Sequence, residues 1–142
     1  MQLTTKGRYA TRIMVNLTVH NHEKPVQKNE IAREEGMSPD YVAQLLLKLK
    51  AAGLVQSHRG VRGGFTLSCD PAKISAARVL EAVEGPIAIV PCLSRSCLRQ
   101  SKCATRTLWR KANAALLGVL EGTSLADMAK QSSELQASLF EI

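Results

Sequence analysis

Apolar residues in the first part of the chain recur at spacings of three and four, the period of α-helices that bury one face. Thr4 or Thr5 can cap a first helix, since a threonine hydroxyl accepts from free backbone N–H groups. The apolar stripe of that helix is Ala10, Ile13, Met14 and Leu17. A short second helix follows over 29–35, and the glycine-containing turn 36–38 predicts a helix-turn-helix.

The segment after this turn has the signals of a recognition helix. Ser38 can cap it, Pro39 is tolerated at the first helical position, and Asp40 suits the positive end of the helix dipole. Its buried stripe is predicted to be Val42, Leu45, Leu46 and Leu49. Gly53 stands where a left-handed residue would end the helix. We therefore expect 38–44 to lie at a groove of duplex DNA.

Two short strands, 54–58 and 65–68, are predicted next, joined by the glycine-rich tip 59–64. Such a hairpin is the wing of a winged helix-turn-helix. Arg59 and Arg62 on this tip suit the narrow, negative minor groove. Cys69, at the end of the second strand, is expected to be a small buried or half-buried thiol.

The second half of the chain contains a longer periodic segment. Ser75 is expected to cap a helix that runs to Glu84, and the longest helix spans 104–121. The stripe of that long helix is Leu108, Trp109, Ala112, Leu116, Val119 and Leu120. Little of the winged unit is left for this stripe to cover, so we expect a homodimer with two-fold symmetry that matches a palindromic operator. A short helix over 125–131 and a tail that packs or frays complete the chain.

The predicted fold class is therefore mainly α with a small β-hairpin wing, in which a winged helix-turn-helix is followed by a long dimerisation helix. Three segments are expected. Residues 1–84 form the winged helix-turn-helix DNA-binding domain, 85–103 a cysteine cluster loop, and 104–142 the dimerisation helix and C-terminal helices.

The charge balance supports a polyanionic partner. The 142-residue chain carries a net charge of +7, and residues 1–67 hold ten Lys and Arg against five Asp and Glu, so the excess lies in the winged unit. Basic residues near the start of the first helix oppose its dipole, which a phosphate would relieve. The residues expected to contact DNA are Ser38, Asp40, Tyr41, Gln44, Lys48, Arg59, Arg62, Lys6 and Arg8.

Composition and motifs limit the other classes of function. No apolar run approaches the roughly 18 residues of a membrane span, and no signal-peptide core is seen, so we expect a cytoplasmic protein without membrane contact. No nucleophile–base pair, phosphate loop or pair of carboxylates is apparent, so we do not expect an enzyme. In that compartment, four cysteines are expected to be metal ligands or redox thiols rather than disulfides.

The spacing of Cys92, Cys97 and Cys103 limits the geometry they can adopt. On one straight helix, Cys92 and Cys103 would stand roughly 16 Å apart and Cys97 would point about 140° away, so joint action requires a non-helical loop. A 2Fe-2S cluster accepts such long loops with thiolate ligands, and this segment is cationic. Zinc more often uses a two-residue gap. A thiol redox switch and three unrelated exposed thiols are the other interpretations.

Several motifs together resemble the IscR-type regulators, a winged helix-turn-helix family that includes NsrR and CymR members (the Rrf family). They are the opening 1–10, the segments 36–41 and 44–46, the stop 53–55, the wing 59–65, and three cysteines before Leu108-Trp109. The resemblance implies a homodimeric transcription factor, acting as a repressor or dual regulator, that binds DNA operators. It also implies a 2Fe-2S cluster on Cys92, Cys97 and Cys103, and base or wing contacts from Gln44, Asp40 and Arg59.

This chain departs from the family pattern at the fourth ligand. Arg106 stands where the IscR pattern has a histidine, and Arg8 where the NsrR pattern has an acidic residue, so the fourth cluster ligand is unknown. The first gap between cysteines is also about one residue shorter than in IscR. The candidates for the ligand are His20, His22, His58, Cys69 or an exchangeable molecule.

Two further expectations follow from the resemblance. Ala43 replaces a long acidic side chain of IscR, so we predict that operator choice depends less on the cluster and rests mainly on Gln44 and DNA shape. The alternative function is that of CymR-like members. In that case the cysteines hold no cluster, and control comes from thiol oxidation or from a protein effector, a metabolic enzyme.

Overall fold

The structure is a computed structural model that describes residues 3–21 and 24–141. It contains the helices α1 (Thr5–Val19), α2 (Lys28–Glu35), α3 (Pro39–Ala51), α4 (Ala76–Glu84), α5 (Thr105–Gly122) and α6 (Leu125–Phe140), with strands β1 (Val55–His58) and β2 (Gly64–Leu67) and short 3₁₀ turns at Pro71–Lys73 and Pro91–Leu93. This is the mainly helical architecture with a two-stranded wing that the sequence predicts.

Helices α1 to α4 and the hairpin enclose one aliphatic core. Its fully buried side chains include Ile13, Met14, Leu17, Ile31, Val42, Leu45, Leu46, Leu49, Leu54 and Ile74. Every residue of the predicted stripes of α1 and α3 is buried here. At about 25 cal/mol for each Å² of apolar surface removed from water, such leucines and isoleucines each contribute roughly 1.5–3 kcal/mol to folding. The recognition helix α3 is thus fixed from behind by packing.

The ends of α2 and α3 are set by local chemistry. Gly36 ends α2 with φ +65°, and Gly53 follows α3 with φ +75°, both in the left-handed region that glycine enters without steric cost. At the start of α3, the Ser38 hydroxyl accepts a hydrogen bond from the backbone N–H of Tyr41 at 3.2 Å. The two helices are consequently joined by the tight turn that a helix-turn-helix requires.

The hairpin is a two-stranded antiparallel sheet in which Val55 pairs with Leu67 and His58 with Gly64. A third segment supports it, because the backbones of Val26 and Phe65 exchange hydrogen bonds of 3.0 and 2.8 Å. A bridge of this kind ties the wing to the chain just before α2. The orientation of the tip 59–63 is therefore coupled to the helix-turn-helix.

Two sequence predictions in this half need correction. Helix α6 extends to Phe140 instead of ending at 131, and beyond its buried first residue, Leu125, it is half-buried or exposed. Cys69 is exposed, not buried or half-buried. The last buried residue of β2 is Leu67, and the chain then turns where Asp70 Oδ1 accepts from the Ala72 N–H at 2.9 Å.

Candidate nucleic-acid interface and cysteine loop

One face of α3 is free of protein contacts that would bury it. Asp40, Gln44 and Lys48 are exposed at successive four-residue intervals, which places them in one row along the helix. Ser38 is exposed too, although its hydroxyl is used in the cap. Asp40, Gln44 and Lys48 therefore lie together on the surface opposite the buried stripe, and Ser38 is exposed at the N-terminal end of the same helix.

Tyr41 differs from its neighbours on α3. It is half-buried, and its ring meets the ring of Tyr9 edge-to-face with centroids 5.9 Å apart. Such an aromatic pair contributes about 0.5–1.5 kcal/mol beyond the area it buries. Tyr41 thus joins α3 to α1, and its DNA contact stays a prediction.

The wing presents its two arginines on a narrow tip. Arg59 and Arg62 are exposed, and Val61 between them is 95% exposed. Side chains are excluded at Gly63 and Gly64, where an added Cβ would stand 2.2 Å from the His58 carbonyl oxygen and 2.6 Å from the Val26 backbone. The glycines of the tip therefore permit a turn tight enough to carry both arginines outward.

The positive end of the α1 dipole is neutralised by a carboxylate of the protein itself. Thr4 is the capping position but makes no side-chain cap. Glu84 Oε1 instead accepts hydrogen bonds from the N–H groups of Thr4 and Gly7 at 3.1 and 3.0 Å, and from the Thr4 hydroxyl at 2.6 Å. The helix dipole therefore does not need a phosphate here. Arg8 is exposed and Lys6 half-buried beside this end, and their DNA contact stays a prediction.

A polar network that the sequence did not reveal joins α1 to α2. The buried Asn16 side chain donates to Glu34 Oε2 at 2.7 Å and to Glu35 Oε1 at 3.1 Å. Arg12 pairs with Glu35 at 3.1 Å and with its backbone carbonyl. Partial burial of Glu34 raises its pKa, but hydrogen bonds from Asn16 and His20 outweigh this and lower the pKa overall. The network fixes the first helix of the helix-turn-helix against α1.

The cysteine loop follows α4 and leads into α5. Cys92 lies in the Pro91–Leu93 3₁₀ turn, Cys97 in the irregular segment beyond it, and Cys103 just before α5, and all three are half-buried. This confirms that the three cysteines do not share an α-helix. Within residues 3–21 and 24–141, however, no three His, Cys, Asp or Glu side chains are gathered closely enough to hold a metal ion. In the described conformation the three sulfur atoms do not converge on one metal position.

The donors nevertheless have the chemistry of thiolate ligands. Cys103 Sγ lies 3.2 Å from the Thr105 hydroxyl. This hydrogen bond, together with bonds from the backbone at 105–106 and the charge of Arg106, lowers the pKa of the Cys103 thiol despite some desolvation. No Asp or Glu occurs between 85 and 120. Three thiols in a cationic segment fit an anionic cluster in donor type, and the loop would have to close to bring them together.

The candidates for a fourth ligand have other partners or lie elsewhere. His20 contacts Glu34 Oε2 at 3.1 Å, and His58 contacts the Thr66 hydroxyl at 2.8 Å within the wing. Cys69 follows β2, and His22 lies outside the described residues. Arg106, at the position expected for a histidine, donates from Nη1 to the Cys92 carbonyl oxygen at 2.9 Å.

Comparisons with known proteins agree with this architecture. Residues 3–131 match the model of the Rrf2 family, described as iron-dependent transcriptional regulators. The HTH-type transcriptional regulator IscR of Aliivibrio salmonicida is 36% identical over 139 residues, which cover 97% of this chain and 83% of that protein. This chain belongs to the Rrf2 family. It is a transcriptional regulator and not an enzyme.

Solved structures of Rrf2 relatives show the same fold. CymR, the global cysteine regulator of B. subtilis, has a TM-score of 0.82 and 36% identity, covering 92% of this chain and 98% of its own. IscR of T. potens has a TM-score of 0.80 and 33% identity, covering 96% of this chain and 91% of its own. The matched Rrf2 proteins thus include both IscR and CymR regulators. In the described part of the chain, no helix has the length and apolar character needed to cross a bilayer.

Proposed function

We propose that this Rrf2 protein is a homodimeric repressor that binds a palindromic operator. The 92–103 loop is its sensor, and a change in the state of this loop alters DNA binding. The observation that supports DNA binding most directly is the exposed row Asp40, Gln44 and Lys48 on a helix packed firmly from behind. The arginine-bearing wing lies beyond it. Phosphate contacts would give affinity, while Gln44 and the wing arginines would give register and groove selection.

The dimer proposal is supported by α5. In the single chain none of its residues is buried, although it carries large apolar side chains. Leu108 and Val119 are 57% and 67% exposed, whereas Leu116, Leu117 and Leu120 pack partly against α4 and the segment after it. An amphipathic helix of 18 residues with one apolar side uncovered needs a partner, and a second copy would supply a matching helix by two-fold symmetry.

The sensor proposal assigns Cys92, Cys97 and Cys103 as ligands of a 2Fe-2S cluster. When bound, such a cluster would respond to iron–sulfur status, oxidants or nitric oxide, and its loss would release the three thiols. The hydrogen bond at Cys103 and the cationic surroundings support thiolate ligation. The fourth ligand would be another residue or an exchangeable molecule, because Arg106 stands where the IscR pattern has a histidine and is hydrogen-bonded to a carbonyl oxygen.

The alternative proposal is a cluster-free regulator controlled by thiol oxidation or by a protein effector. The observation that favours it is the separation of the three sulfurs in the described loop, together with the close structural match to CymR. DNA binding and dimerisation would be the same in both cases. The two proposals differ only in what changes the state of the loop.

Purification without oxygen, followed by visible absorption and by iron and sulfide analysis, separates the two. We expect coloured protein with near-equal iron and sulfide, and loss of both on replacing any one of Cys92, Cys97 or Cys103 by serine. Ser101→Ala, which changes an exposed residue of the same loop without removing a thiol, is the control and should keep the cluster. Colourless protein that also resists reconstitution would refute the cluster and leave the alternative.

A further inference from the structure

The segment that carries Cys92 runs along α5 and is attached to it at three levels. Ile87 is buried in a cluster that includes Leu116 and Leu120. One to two turns nearer the start of α5, the Asn113 side-chain oxygen accepts from the Ile89 backbone N–H at 2.9 Å. Two turns further, the attachment is the bond from Arg106 to the Cys92 carbonyl oxygen at 2.9 Å.

These attachments share one face of the helix. Arg106 and Asn113 are seven residues apart, which places both on the same side of α5 after nearly two full turns. Both hydrogen bonds are partly shielded from water, and both side chains are half-buried on a helix whose neighbouring positions are mostly exposed. The segment 87–92 and α5 therefore run antiparallel and in register.

The rest of the loop has a different kind of support. For the described residues 94–104, the backbone hydrogen bonds are local, such as those from Arg95 to Pro91, Gln100 to Cys97 and Lys102 to Arg99. Cys97 thus lies in a self-contained turn region, whereas Cys92 lies at the end of the fixed segment. Of the three cysteines, Cys92 and Cys103 are the two whose positions depend on the start of α5.

We infer that Arg106 is a positioning residue that holds Cys92 against α5, with Asn113 as the second point of attachment. Arg106 spans from the first turn of α5 to the carbonyl of Cys92, so it sets the spacing between the Cys92 and Cys103 ends of the loop. An arginine keeps its charge across the pH range of proteins, and a charged donor makes a stronger hydrogen bond than a neutral one. The role of Cys92 as a sensor thiol rests on the proposed function, whereas the attachment itself does not.

The test uses full-length, metal-free, reduced protein and measures the alkylation rate of each cysteine by mass spectrometry. Loss of a hydrogen bond to a charged group changes a local opening equilibrium by about tenfold. We therefore expect Arg106→Ala to raise the alkylation rate of Cys92 by about tenfold while that of Cys97 stays within about twofold. Arg110→Ala, which removes an exposed arginine one turn later, should change neither rate.

Variants of Asn113 test the second point of attachment independently. Asn113→Leu removes the acceptor for the Ile89 N–H and should also raise the alkylation rate of Cys92. Asn113→Asp keeps an acceptor oxygen at this position and should leave the Cys92 rate at the wild-type value. Circular dichroism melting of each variant identifies loss of fold, and Arg106→Gln replaces Arg106→Ala if the latter fails to fold. A rate for Cys92 that is unchanged in Arg106→Ala, or that rises equally with that of Cys97, would overturn the inference, and an unchanged rate in Asn113→Leu would remove Asn113 as the second point of attachment.

Failure of the proposed function gives a different result. Colourless wild-type protein would refute the cluster, but the alkylation pattern of metal-free protein would still show whether Cys92 is held on α5. Conversely, if wild-type protein binds iron and sulfide but Arg106→Ala leaves the Cys92 rate of the metal-free protein unchanged, the cluster stands and the positioning role is overturned.

Discussion

Glu84 and Gly7 connect the last turn of α4 to the first turn of α1. Glu84 Oε1 lies 3.0 Å from the Gly7 nitrogen, and a Cβ on residue 7 would stand 2.3 Å from the same oxygen. A carboxylate at this point satisfies free N–H groups and interacts favourably with the positive end of the helix dipole. The helix is capped across 77 residues of sequence because position 7 has no side chain.

Gly7→Ala should therefore fail to give the usual stabilisation. An alanine in a helix is favoured over glycine by about 1 kcal/mol, but the displaced Glu84 would lose cap bonds worth roughly 0.5–2 kcal/mol. We expect an unchanged or lower free energy of unfolding in urea. In a Glu84→Ala background the same substitution should recover part of the gain, because only the Leu80 side chain, 3.0 Å from such a Cβ, must then give way. A full gain of about 1 kcal/mol in the otherwise unchanged protein would contradict this account of the cap.

Arg62 on the wing should contribute to affinity without setting sequence preference. Replacing it with alanine removes one phosphate or groove contact, so the slope of log affinity against log salt should fall by about one. The affinity for different operator sequences should fall by about the same factor. Lys130→Ala, which removes an exposed cation from α6, is the control and should leave the slope unchanged. An Arg62→Ala slope equal to that of wild type would remove this residue from the interface.

Val119 should lie in the dimer interface. Val119→Lys would bury an unpaired charge there, at a cost of several kcal/mol, so the variant should sediment as a monomer at concentrations where wild type is a dimer. Glu121→Lys introduces the same side chain at an exposed position two residues later and should remain dimeric. If Val119→Lys and Glu121→Lys are both dimeric, with the dimer dissociation constant of wild type, the interface lies elsewhere.

The Thr105 hydroxyl should control the reactivity of Cys103 in metal-free protein. Its hydrogen bond is the largest cause of the lowered Cys103 pKa, so Thr105→Val should shift the midpoint of Cys103 alkylation to higher pH. Below that midpoint the variant should react more slowly than wild type, because a smaller fraction of the thiol is ionised. Thr107→Val is the control. A midpoint that does not move, or moves down, would show that Thr105 does not stabilise the thiolate.

The winged unit could be predicted from the sequence because its signals are local. Ser38, Gly36 and Gly53 set the helix ends by their own conformations and caps, and apolar spacing identified the buried stripes. The family resemblance identified the class of protein, which the comparisons confirm. Agreement between local preference and packing is what makes such a unit predictable.

The relationships that sequence could not reveal are those between distant residues. Nothing near Thr4 indicates that Glu84 will cap α1, and Asn16 gave no sign of its bonds to Glu34 and Glu35. The sequence does not mark the end of α6, because the last two turns of this helix have little tertiary burial. Arg106 was recognised only as a departure from the family pattern, and its partner came from the fold.

The most direct test of the account is to compare operator affinity, under anaerobic conditions, between iron–sulfur-loaded and metal-free protein on one palindromic duplex. A coupling of 1–3 kcal/mol is typical of allosteric regulators, so we predict an affinity difference of about fivefold or more that disappears when Cys92, Cys97 and Cys103 are all serine. Because Ala43 offers no acidic side chain, the order of preference among operators should be the same in both states. Equal affinities for loaded and metal-free protein would contradict the claim that this loop is the sensor.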